Sequence, residues 1–210
     1  AKVNLSCFDL IKQLPELKKE LPWLYGINSS SLQASVAKMD SAYTSFFKGS
    51  GGFPKFKNKK TSRKSFAIPA TIFIKENSVR IPKFTEGIKA KIHRRFDGKI
   101  KSGTISKAPT GKYFISVVFE TPDVAPVKQE VTEENTIGVD LGIKTFATLS
   151  NGQVIENPRH LKRVLSKLKY TQSKYSKYKG KRTKQKLALL HEKITNKRND
   201  FLHKVTKKLI

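Results

Sequence analysis

Between Lys162 and Lys208 the chain carries seventeen lysines and arginines and only two acids, Glu192 and Asp200, on a helical repeat of apolar residues. Leu161, Val164, Leu165 and Leu168 form one stripe; Leu187, Leu190, Ile194, Phe201, Leu202, Val205 and Leu209 form another. Tyr178-Lys179-Gly180-Lys181-Arg182 between them predicts a reversal, so the stretch reads as an antiparallel helix pair. A solvated helix face usually mixes signs so that residues four apart can pair. Seventeen against two cannot do that, which favours a surface that tracks phosphates.

The imbalance extends to the whole chain. Its 210 residues hold 43 Lys+Arg and 16 Asp+Glu, a formal charge of +27. A compact chain so charged needs a polyanionic partner to offset self-repulsion, and nucleic acid is the partner to expect. An anionic membrane is the weaker reading, since no stretch has the apolar length of a spanning helix and the N-terminus lacks a signal pattern. At 37% hydrophobic the chain can bury a core. One cysteine, Cys7, supports neither a disulfide framework nor a Cys-based zinc site, in keeping with a reducing cytosol.

Three textures divide the chain into expected regions at 1–49, 50–128 and 129–210. In the first, Asn28, Ser29 and Ser30 precede Leu32, Val36, Met39, Tyr43 and Phe46/Phe47, the spacing of one helix face. Ser30 with Gln33 reads as a capping box and Gly49 as the stop. Phe8, Leu10, Ile11 and Leu14 suggest a short helix ended by Pro15. The second region turns to strands: Phe66 to Ile74, a turn at Glu76-Asn77, then Val79 and Ile81. Ile88, Ala90 and Ile92 alternate with Lys89, Lys91 and His93 as in a half-buried strand, and Pro109-Thr110-Gly111-Lys112 signals a hairpin. Pro122, Pro126 and the acids Glu130, Glu133 and Glu134 read as a linker. The third region opens on a strand hairpin, Ile137 to Asp140 and Thr145 to Leu149, turns at Asn151-Gly152, and continues into the basic helices.

A second basic patch runs Phe53-Pro54-Lys55-Phe56-Lys57-Asn58-Lys59-Lys60 and on to Arg63 and Lys64. Aromatics interleaved with cations suit backbone contact plus stacking, while loop anchoring by Phe53 and Phe56 fits the composition equally well. Eight phosphate contacts drawn from the two basic stretches together would give a salt slope of about −6 to −7.

The sharpest local signal is Ile137-Gly138-Val139-Asp140-Leu141-Gly142-Ile143-Lys144. An apolar strand with an acid near its end would place Asp140 at the edge of a core, where an unpaired carboxylate is costly and a bound cation removes the cost. Gly138 and Gly142 would let backbone approach an ion or phosphate closely. As a bare string the motif fits a strand-end aspartate capping a turn almost as well, but ribonuclease-H-like nucleases use such an acid to bind paired Mg²⁺ ions. Actin-like ATPases use a similar strand in a phosphate hairpin, but need a second phosphate loop and an adenosine pocket where this chain has lysine-rich helices. His93, His160, His191 and His203 lack a metal-ligand spacing.

Leu21-Pro22-Trp23-Leu24, Phe53-Pro54-Lys55-Phe56-Lys57, Gly138-Val139-Asp140-Leu141-Gly142-Ile143-Lys144, Glu156-Asn157-Pro158-Arg159-His160-Leu161 and Asn199-Asp200-Phe201-Leu202-His203-Lys204 occur in this order. That order resembles the TnpB proteins, the OrfB family of transposon-encoded accessory transposases related to compact type V CRISPR nucleases. The resemblance implies an α+β fold: a helical recognition region, a β-barrel wedge domain and the N-terminal part of a RuvC-like (ribonuclease-H-like) domain with a long helix pair. It implies an RNA-guided DNA endonuclease, in which base pairing reads sequence and protein reads backbone and shape. Guide RNA and target DNA are then the partners and Mg²⁺ the cofactor, in the prokaryotic cytosol or nucleoid.

Asp140 matches the first catalytic, metal-binding acid of that family. Nucleic-acid contacts are expected from Lys55, Phe56, Lys57, Lys59, Lys60, Arg63, Lys64, Arg159, Lys162, Arg163, Lys181, Arg182, Lys197 and Arg198. The family's second acid, its zinc ribbon and its third acid come later than Ile210, and its first wedge strand precedes the helices. The resemblance therefore implies a partial chain that binds nucleic acid, holds no zinc and does not cleave alone. A non-catalytic RNA- or DNA-binding protein, such as a guide-RNA-dependent repressor, is the alternative, with an actin-like ATPase a distant third.

Overall fold

The computed structural model describes residues 5–60, 62–69, 72–94, 97–121, 127–128 and 130–210. The expected linker prolines, Pro122 and Pro126, lie outside the described residues. The chain is mixed α+β and forms two compact units, Ala1–Val124 and Ala125–Ile210.

The first unit begins with helices α1 (Cys7–Lys12), α2 (Leu14–Glu20) and α3 (Ser29–Phe47). A capping box opens α1. The backbone N–H of Asp9 donates to the Ser6 hydroxyl, and the Ser6 backbone N–H donates to the Asp9 carboxylate at 3.0 Å. Pro15 starts α2 rather than simply ending α1, because a first-turn proline loses no helical hydrogen bond. Asn28, not Ser30, caps α3: its side-chain oxygen accepts the Ser30 N–H, while its amide donates to the Ser30 hydroxyl at 2.7 Å. Gly49, at φ +71°, is the stop the sequence predicts.

Six strands follow, β1 (Lys64–Ile68), β2 (Phe73–Lys75), β3 (Ser78–Ile81), β4 (Phe84–Lys89), β5 (Lys99–Lys107) and β6 (Tyr113–Glu120). They make two antiparallel three-stranded sheets, ordered β1-β5-β6 and β2-β3-β4. Ile68, Ile72, Val79 and Ile81 form one buried cluster fed by both sheets, with Ile74, Ala90, Ile92, Ile100, Ile105 and Ile115 packed around it. Each buried isoleucine contributes about 1.5–3 kcal/mol relative to exposure. The expected closed barrel is corrected here: among the described residues no ladder joins the sheets, which meet through this core. The strand expected at Ile88–Ile92 lies instead at Phe84–Lys89. Ala90 and Ile92 leave the ladder but still pack on the core.

The second unit holds β7 (Val139–Leu141), β8 (Thr145–Leu149) and β9 (Val154–Glu156) in sequential antiparallel order, then α4 (Leu165–Tyr178) and α5 (Lys181–Leu209). β9 is missing from the sequence reading because three residues are too few for a period to register. Lys179 in the left-handed region and Gly180 make the predicted reversal, and α4 and α5 pack together with Leu168, Thr171 and Ile194 buried. No helix among the described residues is long and apolar enough to cross a membrane.

Candidate carboxylate and basic surfaces

Asp140 lies at the middle of β7, opposite Thr148 of β8, which is in turn opposite Val154 of β9. Directly opposed residues share a face, so these three form one face of the sheet. Leu141, Ala147 and Ile155 form the other, and Ala147 and Leu149 are buried there. The expected position at the edge of a core is thus corrected. All three residues of β7 are exposed, Leu141 at 71%, and Asp140 carries no burial penalty that a cation would have to remove.

The flanking glycines serve the hairpin's backbone. Gly138 uses both of its backbone polar groups on Ser150: its N–H donates to the Ser150 hydroxyl at 3.0 Å and its carbonyl accepts the Ser150 N–H at 2.9 Å. A Cβ on Gly142 would come within 2.9 Å of the Thr145 carbonyl. Among the described residues no group of three or more His, Cys, Asp or Glu could hold a metal ion. A two-metal site needs several carboxylates in reach of both ions; one exposed aspartate does not fit Mg²⁺ by itself.

The basic residues separate into three places. Lys55, Phe56, Lys57, Lys59, Lys60, Arg63 and Lys64 are all exposed in the first unit. Asn58 shapes this loop: its side chain accepts the Lys60 N–H at 2.7 Å and its carbonyl accepts the Ser62 N–H at 2.9 Å. The two phenylalanines, equivalent on composition, differ here. Phe53 meets Tyr43 and Phe46 edge-on at 6.0 and 5.3 Å and ties the loop to α3, whereas Phe56 is fully exposed.

In the second unit, Arg159, Lys162 and Arg198 gather around a cavity of about 360 Å³ whose lining includes Phe146 and Phe201. Asn157 fixes this wall by donating to the Ile143 carbonyl at 2.9 Å and accepting the Arg159 N–H at 3.0 Å. Arg159 itself sits at φ +46°, a left-handed conformation that costs a non-glycine residue about 1–2 kcal/mol. His160, one of the four histidines without a metal-ligand spacing, meets Phe201 edge-on with its Nε2 sealed from solvent. No sequence signal could have placed it, because the contact joins residues 41 positions apart.

Lys181 and Arg182 stand at the start of α5, about 24 Å along the helix from Arg198 at 1.5 Å per residue. Arg163 and Lys197 are exposed beside the cavity-lining residues in sequence. Along α5 ten cations face two acids, one of which, Asp200, pairs with Lys204 at 2.8 Å. Most of that positive charge has no acid within the helix to answer it.

Residues 115–210 match the OrfB_IS605 family, described as "Probable transposase". A protein of Streptomyces pristinaespiralis named "Putative RNA-guided DNA endonuclease" is 31% identical over 208 residues, which cover 94% of this chain and 50% of that protein. A protein of Escherichia coli (strain K12) named "Putative RNA-guided DNA endonuclease InsQ" is 31% identical over 194 residues, 89% of this chain and 47% of that one. The chain spans about half the length of the curated relatives it matches.

Proposed function

We propose that the chain is a member of the OrfB_IS605 family of probable transposases and the nucleic-acid-binding portion of a TnpB-type, RNA-guided DNA endonuclease. In this reading residues 1–49 are a helical recognition region, 50–128 a wedge domain and 129–210 the start of a RuvC-like nuclease domain. Guide RNA and target DNA are the ligands, met in the prokaryotic cytosol or nucleoid. One observation carries the reading: the span that matches the family holds both the strand carboxylate Asp140 and the helix pair with its excess of unanswered cations.

The chemistry divides accordingly. The cations of α4, α5 and the Lys55–Lys64 loop hold phosphates by charge and by counterion release, which is independent of sequence. Asp140 is the first acid of the nuclease site. Mg²⁺ would be the metal there only together with carboxylates beyond those described, and Asp140 by itself performs no cleavage. The distinct reading, a binding protein in which Asp140 is idle, shares all of the binding and none of the chemistry.

The test is Asp140→Ala in a protein that continues this sequence to the full length of its relatives. Loss of Mg²⁺-dependent DNA cleavage with guide-RNA binding retained is the expected result. Cleavage at the wild-type rate would sink the assignment.

A further inference from the structure

The β2-β3-β4 sheet has one apolar face and one face that its core does not explain. Ile74, Val79 and Ile88 are opposed across the three strands, with Val79 in the buried cluster and Ile74 packed against it. On the other face Phe73 lies opposite Arg80, and Lys75 and Lys89 flank Ser78 from the two neighbouring strands. Phe73 is 64% exposed, and Lys75, Arg80 and Lys89 are exposed with it. These residues line an open groove of about 720 Å³. An aromatic ring left in water forgoes the stabilisation that burial would give it, and three cations around it rule out an apolar protein partner as the natural cover. A flat ring set among cations at strand spacing matches the demands of an unpaired strand of nucleic acid, whose bases stack and whose phosphates run alongside.

We propose that the outward face of the β2-β3-β4 sheet is a platform for single-stranded nucleic acid, with Phe73 stacking on a base and Lys75, Arg80 and Lys89 holding the adjacent phosphates. The spacing supports it. Neighbouring strands lie about 4.8 Å apart and successive residues of one face about 6.8 Å apart along a strand, so Arg80 and Lys75 stand about one phosphate repeat from the stacked base and Lys89 about two. The platform uses no residue of the Lys55–Lys64 loop or of the basic helices, and it rests on the reading above that the chain binds nucleic acid.

The test measures the binding of ten-nucleotide oligo(U) and oligo(dT) to the full chain by fluorescence anisotropy, with a ten-base-pair duplex as competitor. Phe73→Ala and Phe73→Leu are expected to bind the single strands about 5- to 150-fold more weakly, and Phe73→Tyr to recover most of the loss. Lys75→Ala and Lys89→Ala each lower the salt slope by about 0.7. In a double variant, Trp23→Phe with Phe73→Trp, the single tryptophan reports the site directly, and its emission is quenched on binding. A larger effect with oligo(U) assigns the platform to RNA, and a larger effect with oligo(dT) assigns it to DNA. Wild-type affinity in Phe73→Ala and Phe73→Leu, with no quenching of the relocated tryptophan, overturns the platform and leaves nucleic-acid binding intact. Competition by duplex as effective as by single strand overturns the single-stranded assignment. Failure of the wild type to bind any of the three at low salt overturns both readings.

Discussion

Phe201 of α5 meets Phe146 of β8 edge-on, with ring centroids 4.9 Å apart and planes at 84°. This contact, with His160 also against Phe201 at 6.0 Å, fastens the far end of the basic helix to the strand that pairs with the Asp140 strand. Position of the cations and position of the carboxylate are therefore linked through one aromatic side chain.

Phe201→Ala should loosen that link. The ring is half-buried, so the loss is set at about 2 kcal/mol, below the range for a fully buried phenylalanine. Hydrogen exchange checks it: amides of β8 and of the C-terminal half of α5 should exchange faster, and those of β5 in the first unit should not change. Phe201→Leu should show a smaller effect of the same pattern.

Asn157 and Arg159 make opposite predictions. Asn157→Ala removes the hydrogen bonds to the Ile143 carbonyl and from the Arg159 N–H, which costs about 1–2 kcal/mol and opens the cavity wall. Arg159→Gly relieves a left-handed residue, so stability should hold or rise by up to about 1 kcal/mol while nucleic-acid affinity falls. Thermal melts and binding titrations on the same samples check both signs. Lower stability in Arg159→Gly would contradict the strain argument.

Arg198 should be visible in the salt dependence. If it contacts a phosphate from its place on the cavity rim, Arg198→Ala lowers the slope of log K against log salt by about 0.7 for single strands or 0.9 for duplex. Affinities measured between about 50 and 200 mM salt test this, and an unchanged slope would place Arg198 off the phosphate path.

The capping box of α1 predicts a pH effect. The Ser6 hydroxyl and then the Ser6 backbone N–H hold the Asp9 carboxyl below its ordinary value of 3.8. A depressed carboxyl stabilises the folded form above the unfolded value and loses that contribution as pH falls through the folded one. Fraying of α1 should therefore set in below about pH 3.8, followed by the Asp9 and Leu10 amide shifts in NMR. Ser6→Ala removes the hydroxyl and keeps the backbone N–H, so it should reduce the pH dependence and fray α1 at neutral pH.

Long periodic features were readable in the sequence because period survives without context. The α4–α5 pair, its reversal at Lys179-Gly180, the Gly49 stop and the hairpin at Pro109–Lys112 all follow from local pattern. Short elements were not. β9 has three residues, and the true caps at Ser6 and Asn28 depend on which hydroxyl or amide wins a local competition. The Asp140 motif was visible as a string, but its exposure was not, since burial depends on what packs against a strand rather than on the strand itself.

Charge, helical stripes and the ordered motifs are properties of the chain alone, and they determined the polyanionic partner to expect, the helix pair and the family resemblance. Register and packing belong to the folded state. They decided that Phe73 stands opposite Arg80, that Phe56 is free where Phe53 is tied down, that Arg159, Lys162 and Arg198 share one cavity, and that Asp140 lies on an open face. The reason is range. A period acts between residues three or four apart, whereas these relationships join residues up to 39 positions apart, and only the closed fold brings such residues within reach of each other.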